Sequence, residues 1–262
     1  MSSRIITLTT DFGSGSPYVA ALKGVILSIN PQALLVDLSH EVPPQDVRHG
    51  ALVLADVVPR FPTASIHVAV VDPGVGTDRS IVYMAAGERH LIAPDNGLLH
   101  RLAQDAAPDK IIALRNQEFW LPDVSATFHG RDIMAPVAAH LSLGVDPDRF
   151  GPAQAELTKL DWPEVTIVPG KITGAVQSID AFGNLITDIT AAMLADAPRD
   201  DSVVIACDEH ETLGIFDTYG QQPEMTLIAL LSSSGNLELA IVNDNAQRML
   251  GVGVGTPVTV TW

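Results

Sequence analysis

Three short apolar runs near the start of the chain, Ile5 to Thr9, Ala33 to Leu38 and Ser65 to Val71, are separated by two stretches with helical spacing. Val19, Leu22, Val25, Ile26 and Ile29 form the first helical stripe, ended by Pro31; Val47, Ala51, Leu54, Ala55 and Val58 form the second, stopped by Pro59. A run that is apolar throughout needs cover on both faces, so this β-α-β-α-β order predicts a mainly parallel sheet flanked by helices. Ala33 to Leu38 reads as a second buried strand. Ile81 to Met84 and Leu91 to Ala93 read as shorter strands, and Asn96 to Gln104 as a helix.

The pattern changes after Gly144. Residues 151–170 carry Pro152, Pro163 and Pro169 with little periodicity, which marks a linker. Beyond it lie short strand-like runs: Ile172 to Ile179, Val203 to Cys207, Met225 to Leu231, Leu237 to Val242 and the period-two segment Val258 to Trp262. The expected organisation is an α/β N-terminal domain over residues 1–160 and a smaller all-β, barrel-like C-terminal domain over 171–262, the linker falling at about 151–170.

Composition removes several classes of function. The 262 residues carry 15 basic and 31 acidic side chains, a net charge of −16, with no clustered Lys and Arg stripe, which argues against nucleic acid as a partner. No apolar run approaches the roughly 20 residues that span a bilayer, and none resembles a signal-peptide core before Arg4 and Ile5, so no membrane partner and a cytoplasmic location are expected. The single cysteine, Cys207, has neither a disulfide partner nor metal-ligand spacing and reads as a buried structural thiol.

Three acidic turns follow strand-like runs: Thr10-Asp11-Phe12-Gly13, Asp72-Pro73-Gly74-Val75-Gly76 and Asp95-Asn96-Gly97. Ligands of open α/β sheets sit outside the carboxyl ends of strands, so the three turns could line one crevice. An aspartate there can accept from both hydroxyls of a ribose; equally, Asp-Gly and Asn-Gly are ordinary turn residues, and Asp95-Asn96 suits a helix start. Gly74-Val75-Gly76 lacks the third glycine of a dinucleotide site and the Lys-Ser/Thr of a P-loop. Thr127-Phe128-His129-Gly130-Arg131-Asp132 opens a further helical stretch with Pro136 close behind, which demands a helix start near Pro136 or a kink. Arg131 and Asp132 could simply pair with each other. Asp180-Ala181-Phe182-Gly183-Asn184 and Ser232-Ser233-Ser234-Gly235-Asn236-Leu237-Glu238 place small and polar residues at strand ends.

Taken in order from Thr10 to Asn245, this series resembles the S-adenosylmethionine (SAM) hydrolases, or hydroxide adenosyltransferases, relatives of the SAM-dependent fluorinases and chlorinases. The resemblance implies hydrolysis of SAM to adenosine and L-methionine, and a homotrimer whose sites lie between the N-terminal domain of one subunit and the C-terminal domain of the next. It implies that Asp11 holds the ribose hydroxyls and that Asp72, Arg79 and His129 surround the attacking water, with Phe128 near the ribose. Asp180, Asn184, Ser233 and Glu238 would contact the ligand from the neighbouring subunit, and backbone groups near Val242 and Asn243 would meet adenine. The sequence departs from many relatives at Ser16, where they carry an acidic residue. Halogenating relatives carry Tyr and Thr where Asp72 and Val75 stand and Ser where Gly130 stands, so this chain is expected to use water.

The chemistry suits these groups. A sulfonium leaves as a neutral thioether and needs no acid, whereas water, with a pKa of about 15.7, needs a partner for its proton. Asp72 and His129 are both candidates; Arg79 is not, because its guanidinium stays protonated. No cofactor and no metal ligand are expected. The competing readings are a chlorinase-like halide adenosyltransferase, a non-catalytic adenosine or SAM binding module, and a hydrolase with a hard cation held by Asp11, Asp72, Asp95 and His129.

Overall fold

A computed structural model describes residues 5–262; Arg4 and the first residues of the expected N-terminal domain lie outside the described residues. The chain divides into two compact units, Met1–Leu160 and Asp161–Trp262. The division falls inside the proline-bearing stretch 151–170, and its first part belongs to the N-terminal unit: Ala113 donates to the Pro152 carbonyl at 2.9 Å and Gln154 to that of Ile111 at 2.9 Å.

The N-terminal unit runs β1 (Ile5–Thr10), α1 (Pro17–Ile29), β2 (Leu34–Ser39), α2 (Val47–Val57), β3 (Ile66–Val70), β4 (Ile81–Ala86), β5 (Arg89–Pro94), α3 (His100–Asp105), β6 (Lys110–Ala113) and α4 (Ala135–Ser142). Its six-stranded sheet has the order β2-β1-β3-β5-β4-β6. The pairs β1–β2, β1–β3 and β3–β5 are parallel, but β4 is antiparallel to both β5 and β6, so the sheet is mixed and not mainly parallel as expected. Gly87 and Glu88 cause the difference. Both adopt positive φ, 52° and 64°, which closes a two-residue hairpin between β4 and β5. The second strand also differs from expectation. β2 is an edge strand, so its side chains are partly exposed and Leu34 faces solvent.

Residues of β3 show why a central strand is mostly apolar. Ile66, Val68 and Val70 pack with Leu22 and Ile26 of α1 and Ala138 of α4, while Ala69 and Val71 pack with Leu54 of α2 and Leu102 of α3. The carboxyl ends of β1 and β3 then project the Asp11 and Asp72 turns. The third acidic turn has another task. Asp95 accepts from Gln154 Nε2 and from the Thr158 backbone N–H, both at 2.7 Å, and so pins the 151–160 segment.

The C-terminal unit runs β7 (Thr166–Val168), β8 (Lys171–Ile179), β9 (Leu185–Thr190), β10 (Val204–Cys207), β11 (His210–Leu213), β12 (Leu227–Leu231), β13 (Asn236–Ile241), α5 (Ala246–Leu250) and β14 (Pro257–Thr261). The antiparallel order β11-β10-β14-β8-β9-β13-β12 nearly closes on itself, with Thr212 Oγ1 of β11 donating to the Leu227 carbonyl of β12 at 2.8 Å. Alternate residues such as Ile172, Leu185, Ile205, Leu237 and Val260 fill the barrel. Cys207 is buried among them, and burial pushes its thiol up to about 11. Among the described residues no helix is long and apolar enough to cross a membrane.

Candidate active site

Asp72 begins the turn after β3, and that turn folds back on itself. Thr77 donates through its hydroxyl to the Gly74 carbonyl at 2.7 Å and accepts from the Arg79 N–H at 3.4 Å, which brings Arg79 over Asp72. Arg79 Nε lies 2.9 and 3.0 Å from the two Asp72 oxygens, and Nη2 donates to Oδ2 as well. The side chains are only 5% and 10% exposed. A buried charge needs such a partner, because desolvation would otherwise cost several kcal/mol per ion.

The same Nη2 lies 3.0 Å from His129 Nδ1. Guanidinium has no acceptor, so Nδ1 supplies the lone pair and the proton of the neutral ring sits on Nε2. Burial and the Arg79 charge hold the imidazole below its ordinary pKa, so the ring is neutral at neutral pH.

Local backbone places His129. Gly130–Met134 form a π-helical turn that leads into α4. Pro136 has no N–H to offer the Asp132 carbonyl four residues earlier, and that carbonyl instead accepts from Leu121 at 2.9 Å. This resolves the conflict that Pro136 posed in the sequence. A Cβ at Gly130 would lie 3.0 and 3.2 Å from the Val70 methyl groups, so glycine permits the turn to sit on β3. Wholly buried Asp132 pairs with Arg131 at 2.6 Å and accepts from the Ser125 N–H at 2.8 Å, which makes both residues scaffolding for the 125–129 loop. Gly76 joins the two loops: its φ is 81°, and a Cβ there would stand 2.4 Å from the Ala126 carbonyl oxygen.

Asp11 lies one residue past β1, where its Oδ2 accepts from the Gln45 N–H at 2.8 Å. Phe128 belongs to an edge-to-face aromatic trio with Phe12 (5.8 Å between centroids) and Tyr18 (5.2 Å), and the Arg131 guanidinium stands 4.9 Å from its ring centre. Ser16 caps α1, accepting from the Tyr18 N–H at 3.3 Å. Asp11, Asp72, Arg79, Phe128 and His129 thus all belong to the N-terminal unit.

The remaining sequence candidates belong to the C-terminal unit. Asp180 accepts from the N–H groups of Phe182 and Asn184 (2.9 and 2.8 Å) and from Asn184 Nδ2 (3.0 Å), so both its oxygens serve the loop between β8 and β9. Buried Glu238 accepts from the Tyr219 hydroxyl at 2.6 Å; burial, together with the Asp180 charge, raises its pKa. Tyr219 itself escaped the sequence reading, because no periodicity or motif surrounds it. Ser233 lies at the exposed tip of the β12–β13 turn, where Ser232 and Ser234 share a 2.8 Å hydroxyl contact. Val242 has its N–H and carbonyl occupied by Thr226 and Met225, at 3.0 and 2.9 Å. Asn243 is left-handed (φ 59°) and donates to Glu224 at 2.9 Å. Among the described residues no three His, Cys, Asp or Glu side chains group where they could hold a metal ion.

Residues 6–151 match the SAM hydroxide adenosyltransferase N-terminal domain and residues 174–259 match the corresponding C-terminal domain. The chain belongs to this family. It is 39% identical to an (R)-S-adenosyl-L-methionine hydrolase of Salinispora tropica, covering 98% of this chain and 97% of that protein. It is 36% identical to one of Thermus thermophilus, over 97% and 98%. A fluorinase of an Actinoplanes species is 29% identical over 71% of each chain. The crystal structure of an uncharacterized conserved protein from Thermotoga maritima superimposes with a TM-score of 0.93 at 34% identity, covering 98% of this chain and all of that one.

Proposed function

We propose that this family member hydrolyses SAM to adenosine and L-methionine, with Asp72, Arg79 and His129 as the group that handles the attacking water. The observation that carries the reading is their bonded arrangement on two loops of the N-terminal unit, in a chain 36–40% identical over nearly its full length to proteins named (R)-S-adenosyl-L-methionine hydrolases.

In the proposed reaction a water oxygen bonds to ribose C5′ in line with the departing sulfur. The C5′–S pair stays on sulfur, which becomes the neutral thioether of methionine, and the water gives up one proton. His129 has its Nδ1 lone pair committed to Arg79, which leaves the Asp72 carboxylate as the proton acceptor. Arg79 holds that carboxylate in place, and the neutral His129 ring in turn holds Arg79. General-base help of this kind contributes about 10²–10⁴-fold, and alignment of water, C5′ and sulfur contributes up to about 7–11 kcal/mol.

Asp11 accepts from the ribose hydroxyls, and Phe128 packs beside the sugar. Asp180, Asn184, Ser233, Glu238 and the backbone near Val242 and Asn243 belong to the same proposal as substrate contacts of the C-terminal unit. A homotrimer, a cytoplasmic location and a reaction without metal or cofactor complete it. Asp72, Val75 and Gly130, rather than the Tyr, Thr and Ser of halogenating relatives, support water over halide.

Incubation with SAM in ¹⁸O-water, with and without a chelator and with added chloride, tests the reading. The expected product is adenosine labelled at the 5′-hydroxyl in every arm. Unlabelled adenosine, a 5′-chloro product, methylthioadenosine or loss of activity with the chelator would each refute it.

A further inference from the structure

Besides the packing of Phe12 on Tyr18 and Phe128, the turn that carries Asp11 is fastened by hydrogen bonds to the connector between β2 and α2. The Gly13 N–H donates to the His40 carbonyl at 2.8 Å, the Ser14 N–H to Glu41 Oε1 at 2.6 Å, and the Gln45 N–H to Asp11 Oδ2 at 2.8 Å. Gln45 reaches Asp11 from a left-handed conformation, φ 66°, which is uncommon for a residue with a Cβ and persists only where neighbours enforce it.

Beneath the turn runs a polar chain that starts at the surface with Lys23 and Asp37 and ends buried at His40 and Thr10. Lys23 donates to Asp37 Oδ2 at 2.6 Å. Asp37 Oδ1 lies 3.0 Å from His40 Nε2, off the ring N–H direction, so the contact is electrostatic and not a linear hydrogen bond; Nε2 has no better partner. That carboxylate favours the proton on Nε2. Nδ1 then accepts from the Thr10 hydroxyl at 2.9 Å, and Thr10 Oγ1 in turn accepts from the Phe12 N–H at 3.2 Å. Asp37, His40 and Thr10 have the composition of a nucleophilic triad, but Thr10 is 0% exposed, so no substrate can reach its hydroxyl. What the chain can do is fix the backbone on both sides of Asp11, since Thr10 precedes it and Phe12 follows it.

We propose that His40 and Thr10 are positioning residues that hold the Asp11 carboxylate in the orientation needed to read a ribose diol. The inference rests on the assignment of Asp11 to the ribose. It makes the β2–α2 connector part of substrate selection although none of its side chains is assigned to the ligand.

Calorimetry with adenosine and 2′-deoxyadenosine on the full chain tests this. A hydrogen bond from a hydroxyl to a carboxylate corresponds to about 10–100-fold in affinity, so the wild-type protein should prefer adenosine by about that ratio. Thr10→Val keeps the shape and removes the hydroxyl, and should cut the preference to within about threefold, whereas Thr10→Ser should keep it. His40→Gln gives an independent break in the same chain and should act like Thr10→Val. With SAM, both should raise KM about tenfold while kcat changes by less than about threefold, because the water-handling group is untouched. Folded variants that keep the wild-type ratio overturn the positioning role while leaving the Asp11 assignment intact. A wild-type protein that hydrolyses SAM yet shows no preference for the 2′-hydroxyl overturns the Asp11 assignment and this inference with it.

Discussion

Replacement of Asp72 by Asn should damage folding stability and chemistry at once while sparing ligand binding. The pair it breaks is buried, with 5% and 10% of the two side chains exposed. Removing one member of such a pair leaves the other charge in a poor solvent, at a cost of about 3–5 kcal/mol. Asn keeps one carbonyl acceptor for Arg79, so the lower figure of about 3 kcal/mol applies, and at about 2–4 °C per kcal/mol for a unit of this size the melting temperature should fall by about 6–12 °C. Arg79→Met should cost more, toward about 5 kcal/mol, because it leaves the carboxylate with no donor in place of the guanidinium. The double variant should be more stable than the sum of the two losses predicts, by about 1–3 kcal/mol, because it strands neither charge. Turnover of Asp72→Asn should fall about 10²–10⁴-fold with loss of the proton acceptor. Adenosine affinity should stay within about threefold, since Asp11 and its fastenings are elsewhere in the unit. Differential scanning calorimetry, single-turnover assay and titration with adenosine read the three quantities separately. A variant that melts within about 2 °C of wild type and retains more than a tenth of its rate would contradict both the burial argument and the assigned acceptor.

His129→Asn should keep more activity than His129→Gln, because the Asn amide oxygen can stand where Nδ1 accepts from Arg79; equal losses in the two variants would show that Nδ1 is not the working atom. His67 supplies a pH test of stability. It lies in β3, buried, with Thr7 Oγ1 2.8 Å from Nδ1, and burial lowers its pKa from 6.5 to about 4. The unfolded chain therefore binds the proton first, so stability is complete above pH 6.5 and is lost as pH falls through about 4, a change of about 3 kcal/mol. Urea midpoints at pH 7, 5 and 4 should drop more steeply for the wild type than for His67→Gln, and parallel slopes would refute the assignment.

Runs rich in Ile, Leu and Val made β1 and β3 readable from sequence, and their few polar members, Thr7, Thr9, Thr10 and His67, are buried with them. β2 shares that composition yet lies at an edge, and strand order is not written in a single run. The hairpin that makes the sheet mixed had a cue in Gly87-Glu88 between two apolar runs, but a charged residue at positive φ is a weak signal. Aspartates at strand ends were readable as a class, not individually: Asp95 has the same local sequence character as Asp11 and serves to anchor residues 154–158. Tyr219, His40 and Gln45 were silent, since each acts through a partner 19 to 34 positions away.

Gly76 sets a limit on how the two loops can change. Any side chain there would meet the Ala126 backbone, so a substitution would act as a wedge, prising the Asp72–Arg79 turn from the strand of chain that bears His129. A directed-evolution library aimed at a different nucleophile can therefore vary the tips of both loops, but it should hold position 76 fixed, because a change at that hinge point would disperse the three polar groups together and leave no partial activity from which selection could climb.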